Sequence, residues 1–357
     1  MKVFACGSPY GAGGIGQHFA QLVESARTCG ELGRYYAKRA KPNDDLGHEV
    51  ASALARWVCR YTPVRFSPAA TNYVNKELAD RSVARHLTQP VGSFVGFSGE
   101  SLHCFRKAQS VGGAQLELVS ANSHASNLQR LHEHAARTTG IRDTWLSRPL
   151  HRKMLLEYEM ADVIHVHAEY VQQSFLAEGV PAHKLRRMYL DVDERFRPAP
   201  PPGDGVFRVV YVGRLDATKG IPLLLQAFSA ISTRDAELCL VGGWSTRGMK
   251  AYIKQWLDRD DRITVAPGDP LPAFQRADVF VHPTFEDGFG YAPVEALACG
   301  VPAIVTEDTG MKEYVEEGQN GYIVPTGDWK ALLDRMEHIR KYPLRASLSH
   351  LVAKGIA

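Results

Sequence analysis

The chain has 357 residues, of which 45% are hydrophobic and 23% are charged. This length is more than one compact core usually organises, so it predicts two domains of roughly 150–200 residues each. The net charge of +3 does not indicate a nucleic-acid-binding protein, because such proteins usually carry a strongly basic face. No apolar run approaches the roughly 20 residues that cross a bilayer. We therefore expect any membrane contact to be peripheral.

The cysteines and the N-terminus bear on the compartment. Six cysteines are present, and none belongs to a C-x-x-C pair. Most lie in apolar runs, which is typical of reduced thiols packed in a core. The first residues lack a signal-peptide pattern. Together these features predict a cytoplasmic protein.

The first half of the chain alternates short apolar runs with stretches of helical period. Strands are predicted over residues 3–6, 93–97, 116–120 and 163–166. Helices are predicted over residues 16–29, 154–160 and 170–178. This alternation is typical of a parallel sheet covered by helices on both faces.

A proline-rich segment separates the two halves. Residues 197–205, RPAPPPGDG, hold four prolines and two glycines. Such a run can continue neither a helix nor a central strand. We interpret residues 197–206 as a linker between domains of residues 1–196 and 207–340. The alternative is a surface loop within one domain.

The second half restarts the same alternation. Strands are predicted over residues 209–212, 238–241, 263–266, 278–282 and 302–306. Helices are predicted over residues 221–231, 291–299 and 329–339. The chain is therefore expected to be an α/β protein with two Rossmann-like, doubly wound domains facing across a cleft. Ligands would lie there, at the carboxyl ends of the strands.

The segment GRLDATKG, residues 213–220, follows a predicted strand and precedes a helix. Gly213 permits a tight turn close to a ligand. Arg214 and Lys219 bring two cations near a helix N-terminus, a favourable place for a diphosphate. The alternative is an ordinary strand-to-helix turn with two solvated cations.

The segment DGFGYAPVE, residues 287–295, also follows a predicted strand. Gly288 and Gly290 allow backbone N–H groups to approach a ligand. Asp287 and Glu295 stand on either side of the helix start, where two carboxylates can accept hydrogen bonds from a polyol. A helix N-cap is the alternative role for such an aspartate.

Two further segments, both in the first half of the chain, hold candidate site residues. The glycine loop GAGGIG, residues 11–16, is only a loose G-x-G-x-x-G pattern. A dinucleotide site would need an acid at the end of the next strand, and Glu31 lies in no apolar run. In SANSHASNLQ, residues 120–129, His124 stands between a strand and a helix and points toward the expected cleft. A helix-start histidine without a catalytic role is the alternative.

Two histidine pairs are candidate metal ligands. His165 and His167 form one H-x-H pair, and His132 and His134 form the other. Neither has a third ligand at a telling spacing, so we interpret both pairs as non-metal.

Taken together, the segments at residues 213–220 and 287–295 resemble the nucleotide-binding domain of retaining glycosyltransferases of family 4 (glycosyl transferases group 1), which have the GT-B fold. The family pattern is an acid followed by GFG, with seven residues between two acids and then EA-x-A-x-G-x-P. Here it reads Asp287, GFG, Glu295 and ALACGVP. Residues 309–328, TGMKEYVEEGQNGYIVPTGD, also fit the family. The resemblance is strongest over residues 207–328.

The resemblance implies a retaining, metal-independent glycosyltransferase without a cofactor. The enzyme would move a sugar from a nucleoside-diphosphate sugar to a glycan, lipid or small-molecule acceptor. The implied donor-binding residues are Gly13, Gly14, Gly213, Arg214, Lys219, Asp287, Gly288, Phe289, Gly290 and Glu295. The implied catalytic residues are His124, Arg214, Lys219 and Asp287. In this fold, a C-terminal helix over residues 341–357 is expected to cross back to the first domain.

Three departures from the family pattern keep alternatives open. Asp287 stands where the family usually has Glu, and its side chain is shorter by about 1.5 Å. The neighbouring Glu286 is an alternative contact for the donor sugar. The segments around His167 and Asp191 replace a serine and a G-V-D run. A nucleotide-sugar epimerase and a non-catalytic nucleotide-sugar-binding protein therefore stay open.

Two basic segments have apolar neighbours, RYYAKRAK at residues 34–41 and RPLHRK at residues 148–153. They are candidates for contact with an anionic membrane or an anionic acceptor. The alternative for both segments is a solvated face.

Overall fold

The computed structural model describes residues 1–50, 53–189 and 191–346. The chain divides into two compact units. Unit 1 comprises Met1–Gln129 and Thr144–Leu190, and unit 2 comprises Arg130–Asp143 and Asp191–Ala357. This division differs from the sequence-based boundaries in two ways. Unit 1 ends at residue 190, six residues before the predicted end of the first domain, and residues 130–143 pack with unit 2 although the sequence assigned them to the first domain.

Unit 1 is built on a parallel sheet. Its strands are β1 (Lys2–Pro9), β2 (Leu32–Arg39), β3 (Gly47–Glu49), β4 (Ser93–Phe97), β5 (Gln115–Val119), β6 (Val163–Val166) and β7 (Leu185–Arg187). The strand order is β3-β2-β1-β4-β5-β6-β7, and every pair is parallel. The helices are α1 (Gly13–Thr28), α2 (Ala53–Tyr61), α3 (Pro68–His86), α4 (Leu102–Gly112), α5 (Ala125–Thr139), α6 (Arg148–Met160) and α7 (Glu169–Ala177). From Arg130 onward, α5 belongs to unit 2.

Unit 2 contains a second parallel sheet. Its strands are β8 (Phe207–Val212), β9 (Ala236–Val241), β10 (Ile263–Ala266), β11 (Val279–His282), β12 (Ala303–Thr306) and β13 (Gly321–Val324). The order is β10-β9-β8-β11-β12-β13. The helices are α8 (Ile221–Ser229), α9 (Arg247–Leu257), α10 (Leu271–Arg276), α11 (Tyr291–Ala298) and α12 (Trp329–Lys341). The predicted α/β class with two doubly wound parallel sheets is confirmed.

Burial explains why the strands could be predicted. All residues of β4, β11 and β12 are buried, because helices cover both faces of a parallel sheet. Such strands have nearly continuous apolar sequences.

All six cysteine thiols are free, and Cys6, Cys104 and Cys299 are buried. No helix among the described residues is long and apolar enough to span a bilayer.

The proline-rich segment and the C-terminal segment agree only partly with prediction. Residues 197–206 contain neither helix nor strand and fall within unit 2, so their role as a linker stays a prediction. α12 ends at Lys341, and residues 342–346 are not helical. The rest of the predicted C-terminal helix, residues 347–357, lies outside the described residues.

The strand order creates a crevice in each sheet. In unit 2 the chain runs from β8 to β9 and β10 on one side, and then returns to β11 on the other side. The loops that follow β8 and β11 therefore diverge from neighbouring strand ends, where open α/β sheets bind ligands. These loops hold the motifs at residues 213–220 and 287–295. In unit 1 the equivalent point lies between β1 and β4.

One glycine brings the two loops of unit 2 close together. Gly220 has a φ of +71°, and a Cβ there would lie 1.9 Å from the Pro283 carbonyl oxygen. A side chain at this position would separate the β8 loop from the β11 loop. Glycine is needed here both for its backbone conformation and for the close approach.

Candidate functional site

The loop after β8 is shaped at its first residue. Gly213 has a φ of +147°, and a Cβ there would lie 2.7 Å from the Tyr211 hydroxyl. That hydroxyl donates a hydrogen bond of 2.9 Å to the Arg214 carbonyl oxygen. The Arg214 side chain is 44% exposed. The loop therefore presents a guanidinium to solvent at the carboxyl end of β8.

Asp216 organises this loop from within. Its side chain is 1% exposed and accepts a hydrogen bond from Arg214 Nε. Its Oδ1 also accepts from Thr218 Oγ1 at 2.7 Å and from the Lys219 backbone N–H at 2.8 Å. The Asp216 carboxylate thus holds both the Arg214 guanidinium and the Lys219 backbone N–H in place. The sequence reasoning missed this role, although an acid between two cations in GRLDATKG was a usable signal.

Lys219 joins the two loops. Its Nζ donates to the Glu286 carbonyl oxygen at 3.0 Å and to Asp287 Oδ2 at 2.7 Å. The two side chains are 18% and 17% exposed, so the pair lies at the protein surface without being fully solvated. An ammonium group has three N–H donors. The remaining donor can reach a bound anion.

Asp287 is held in its charged form. Burial alone would raise the pKa of this carboxyl, but the Lys219 ammonium and His282 hold the pKa well below its ordinary value. His282 Nε2 lies 3.2 Å from Asp287 Oδ2, and its ring lies nearly parallel to those of Tyr211 and Phe280. His282 is a further site residue that the sequence reasoning missed, because it stands in a buried strand.

The structure distinguishes Asp287 from Glu286. The Asp287 carboxylate carries the ion pair, whereas Glu286 contributes its peptide oxygen to Lys219. The Glu286 residue is only 3% exposed. The Asp287 backbone also pairs with the segment at Thr309, since Gly310 N donates to Asp287 O at 2.9 Å. Of the two acids, Asp287 is the one whose carboxylate contacts Lys219; which of them contacts a donor sugar stays a prediction.

The glycines after Asp287 lead into α11. Gly290 has a φ of +73° and precedes the first residue of the helix. Phe289 is 3% exposed, and its ring packs edge-on against those of Tyr291 and Tyr314. The Phe289 side chain therefore anchors the loop at the start of α11.

Glu295 lies in the middle of α11 and is 8% exposed. Burial raises the pKa of its carboxyl to about 7, and the charge of Arg195 opposes this only in part. Perturbed carboxyls of this kind are concentrated at functional sites. The Glu295 carboxyl therefore changes charge near neutral pH, so its role can be tested by varying the pH.

The glycine loop of unit 1 lies where the strand order of that sheet reverses. Gly13 and Gly14 are exposed at the start of α1, and Gly13 has a φ of +67°. Gly16 is required for packing, because a Cβ there would lie 2.3 Å from the Pro9 carbonyl oxygen. The predicted role of Gly13 and Gly14 toward a donor stays a prediction.

His124 lies just before α5 and is 5% exposed. Its ring packs against those of Tyr158 and Phe175, with centroids 4.9 and 5.1 Å away. Its Nδ1 accepts a hydrogen bond of 3.2 Å from Ser126 N. The imidazole therefore uses Nδ1 to hold the helix start, and Nε2 carries the proton when the ring is neutral. Its predicted catalytic role stays a prediction.

The two histidine pairs lie in different surroundings. His165 Nε2 is 2.8 Å from Glu117 Oε2, and the buried His167 ring lies beside that of His18. His132 and His134 belong to unit 2, and burial lowers the pKa of His132 to about 3.

One group of side chains among the described residues has the geometry to hold a metal ion, namely Glu77, Asp80 and His103. Lys153 Nζ already lies 2.9 Å from Glu77 Oε2 and 2.6 Å from Asp80 Oδ2. Since Lys153 is 4% exposed, its ammonium neutralises these acids inside unit 1. The interpretation of residues 148–153 as a surface cation cluster is wrong at this lysine.

The other basic segment is part of the sheet. Residues 34–39 belong to β2, which pairs with β1 and β3, and Tyr35 and Tyr36 are fully buried. Arg34, Lys38 and Arg39 are exposed on either side of the buried residues 35–37. This segment is therefore a strand with a buried centre and exposed cations toward its ends.

Comparison with known proteins finds a family match for the second half of the chain. Residues 192–350 match the family of glycosyl transferases group 1. This match covers the loops at residues 213–220 and 287–295, and hence the Lys219–Asp287 pair. The group 1 segment coincides with the sheet and helices of unit 2.

One curated relative is the capsular polysaccharide biosynthesis glycosyltransferase CapM of Staphylococcus aureus. It is 33% identical over 152 residues, which is 40% of this chain and 40% of the relative. The chain thus spans about two fifths of that relative's length. The aligned stretch of 152 residues is about as long as the group 1 match over residues 192–350.

Solved structures resemble the whole chain. Sucrose-phosphate synthase from Thermosynechococcus elongatus has a TM-score of 0.74 at 18% identity, with 96% of this chain and 90% of that chain covered. Anabaena HepE in complex with UDP and glucose has a TM-score of 0.66 at 16% identity, with the same coverage. At these identities the likeness shows the fold, and the predicted GT-B fold is confirmed.

Proposed function

We propose that this protein is a retaining, metal-independent glycosyltransferase that uses a nucleoside-diphosphate sugar. The observation that carries the proposal is the Lys219–Asp287 pair, with Arg214 beside it, at the point where the strand order of unit 2 reverses. A cation pair suits a diphosphate, and a carboxylate within reach of the same cation suits a sugar hydroxyl. The HepE structure holds UDP and glucose on the same fold.

Each site residue has a role in holding the donor. Arg214 and the remaining N–H of Lys219 bind the diphosphate. Asp287 accepts a hydrogen bond from a donor-sugar hydroxyl, with the peptide groups of residues 288–290 beside it. Glu295 accepts from the ribose. Gly13 and Gly14 of unit 1 are assigned to the donor phosphates by the resemblance alone.

The reaction breaks the bond between the anomeric carbon and the phosphate oxygen. The bonding electron pair stays on that oxygen, where Arg214 and Lys219 stabilise the new charge. The acceptor hydroxyl oxygen attacks the anomeric carbon on the same face, and its proton passes to the leaving phosphate. Asp287 is a poor covalent nucleophile because Lys219 and His282 lower its basicity. The charges of Arg214 and Lys219 take the place of the charge that a divalent ion would otherwise provide. His124 is expected near the sugar O6.

A screen followed by product analysis tests this proposal. Nucleoside diphosphates and nucleotide sugars are screened for a rise in melting temperature, since tight ligands stabilise the folded chain by mass action. The best donor is then incubated with glycan, lipid and small-molecule acceptors in the presence of EDTA. Retention of the anomeric configuration in the product, seen by NMR, supports the proposal.

The same experiment separates the rival functions. An epimerised donor in the absence of acceptor would identify an epimerase. Tight donor binding with neither transfer nor hydrolysis over long incubation would identify a non-catalytic binding protein. Inversion at the anomeric carbon, or complete loss of turnover in EDTA, would overturn the mechanism.

Donor affinity should depend on pH through Glu295. With a pKa of about 7 in the free protein, the carboxyl is mostly protonated at pH 6 and mostly ionised at pH 8. A ribose hydroxyl donates best to the ionised form. The dissociation constant of the nucleoside diphosphate should therefore rise about tenfold from pH 8 to pH 6.

Calorimetry at several pH values measures this dependence, and Glu295→Gln is the matched control. The variant should bind more weakly at pH 8 and lose the step near pH 7. A wild-type affinity that stays flat between pH 6 and pH 8 would remove Glu295 from the ribose site.

A further inference from the structure

The most exposed apolar surface of unit 1 lies on α2 and the short 3-10 helix that follows it, Pro63–Phe66. Four large hydrophobic side chains within 13 residues are more than half exposed: Leu54 (57%), Trp57 (56%), Tyr61 (62%) and Phe66 (74%). The five other exposed large hydrophobic residues in the described part of the chain are scattered over both units. Clustered exposure of this kind marks an interaction surface.

The helical period explains why this face has no internal partner. Leu54, Trp57 and Tyr61 recur at intervals of three and four and so form one stripe along α2. Ala55, which is 5% exposed, and the half-buried Cys59 lie on another side of the helix. Cys59 Sγ lies 4.0 Å from the Thr71 carbonyl oxygen on α3. The inner side of α2 is thus used for packing, and the aromatic stripe points outward.

The charge around this stripe has one sign. Between Glu49 and Glu77 the sequence has no acidic residue, and it has four cations: Arg56, Arg60, Arg65 and Lys76. Arg60 lies over the Tyr61 ring at 5.6 Å, and Arg65 lies over the Phe66 ring at 4.6 Å. Lys76 is engaged with Glu100. Three arginines therefore border the apolar stripe.

We propose that α2 and the 3-10 helix at residues 63–66 dock on an anionic lipid bilayer, with Leu54, Trp57, Tyr61 and Phe66 inserted at the headgroup level. Aromatic rings with a polar edge favour this interface. Arginines beside them attract anionic headgroups, and an amphipathic helix of this composition lies in the plane of the interface. This surface differs from the two basic segments that the sequence alone suggested.

Charge and shape argue against two other partners for this surface, a second copy of the chain and single-stranded nucleic acid. A symmetric contact between two copies through this face would bring six arginines together without an acid from the same segment, which opposes association. Single-stranded nucleic acid would use flat rings for stacking. The aliphatic Leu54 and the half-buried Val58 in the same stripe offer no such surface, whereas lipid chains accept them.

Cosedimentation with vesicles tests the charge. Full-length protein should bind vesicles of phosphatidylcholine and phosphatidylglycerol (3:1), bind pure phosphatidylcholine much less, and dissociate at high salt. Arg60→Gln/Arg65→Gln should lower the partition coefficient on anionic vesicles by roughly 30-fold. Arg234→Gln/Arg259→Gln, on exposed arginines of unit 2, removes the same charge and should bind like wild type.

Trp57 reports insertion directly. Its emission should shift to the blue on anionic vesicles, and Trp57→Phe should lose most of the shift while still binding. Trp57→Ser/Phe66→Ser should weaken binding about tenfold or more without lowering the melting temperature, because both side chains are exposed. Tyr342→Ser, at an exposed tyrosine of unit 2, is the control for removing an aromatic ring.

Three results would overturn the proposal. One is wild-type protein that fails to bind anionic vesicles at low salt. Another is Trp57→Ser/Phe66→Ser protein that binds them like wild type. The third is a wild-type dimer, seen by ultracentrifugation, that Trp57→Ser disperses. None of these measurements uses a sugar or a nucleotide, so their outcome is independent of the proposed enzymatic function.

Discussion

Replacing Lys219 with alanine should lower the rate constant of sugar transfer by about 10²–10³-fold, the usual effect of removing one preorganised donor from a site of developing charge. The lysine contacts both loops of the site, through the Glu286 carbonyl oxygen and the Asp287 carboxylate. In the variant, the leaving phosphate loses its ammonium partner, and Asp287 is left facing His282. Steady-state kinetics with saturating donor measure the loss.

A second lysine of unit 2 supplies the control for this variant. Lys254 pairs with Asp258 on the surface, and its side chain is 67% exposed. Lys254→Ala removes the same charge and should leave turnover unchanged. The Lys219→Ala protein should keep its circular dichroism spectrum, since the lysine does not contribute to a hydrophobic core. Full turnover in folded Lys219→Ala protein would reject the proposed site.

Replacing Asp216 with alanine should cost about 3 kcal/mol of unfolding free energy and abolish tight binding of a nucleoside diphosphate. The carboxylate is 1% exposed and accepts from Arg214 Nε, Thr218 Oγ1 and Lys219 N. Each buried donor left without an acceptor costs about 1–3 kcal/mol. The same loss frees Arg214 and the Lys219 peptide, so the two cations are no longer held in place.

Chemical denaturation and calorimetry measure the two effects of Asp216→Ala separately. Asp258→Ala is the control, because this acid lies in the same unit and is 61% exposed. Its loss should change stability by less than about 1 kcal/mol, as for other surface ion pairs. Asp216→Ala protein with wild-type stability and wild-type nucleotide affinity would show that the loop is organised without this carboxylate.

The sequence predicted most of the sheet because its signals are local. Strands β4, β6 and β10 match the predicted ranges, since buried parallel strands have apolar sequences that can be read without knowing their neighbours. β2 was missed because its arginines and lysine, which flank two adjacent tyrosines, were interpreted as a basic segment. α3 was missed because it buries Asp80, and a buried acid weakens the apolar period on which helix prediction depends.

The candidate site was likewise predicted only in part from the sequence. GRLDATKG and DGFGYAPVE indicated a ligand site by their glycines and charges alone, because the order of residues in a strand-to-helix loop is a local property. The pairing of Lys219 with Asp287 across 68 positions required the order β8-β11 in the sheet. The roles of His282 and Asp216 also depended on their burial, which a linear sequence does not express.

By itself, the sequence determined the alternation of strands and helices and the two motifs, because turns, apolar runs and glycine conformations follow from neighbouring residues. Only the tertiary structure decided that residues 130–143 pack with unit 2, that Lys153 is neutralised inside unit 1, and that Glu295 titrates near neutral pH. Each of these depends on contacts between residues far apart in the chain. Burial and charge at one residue are set by the segments that fold over it.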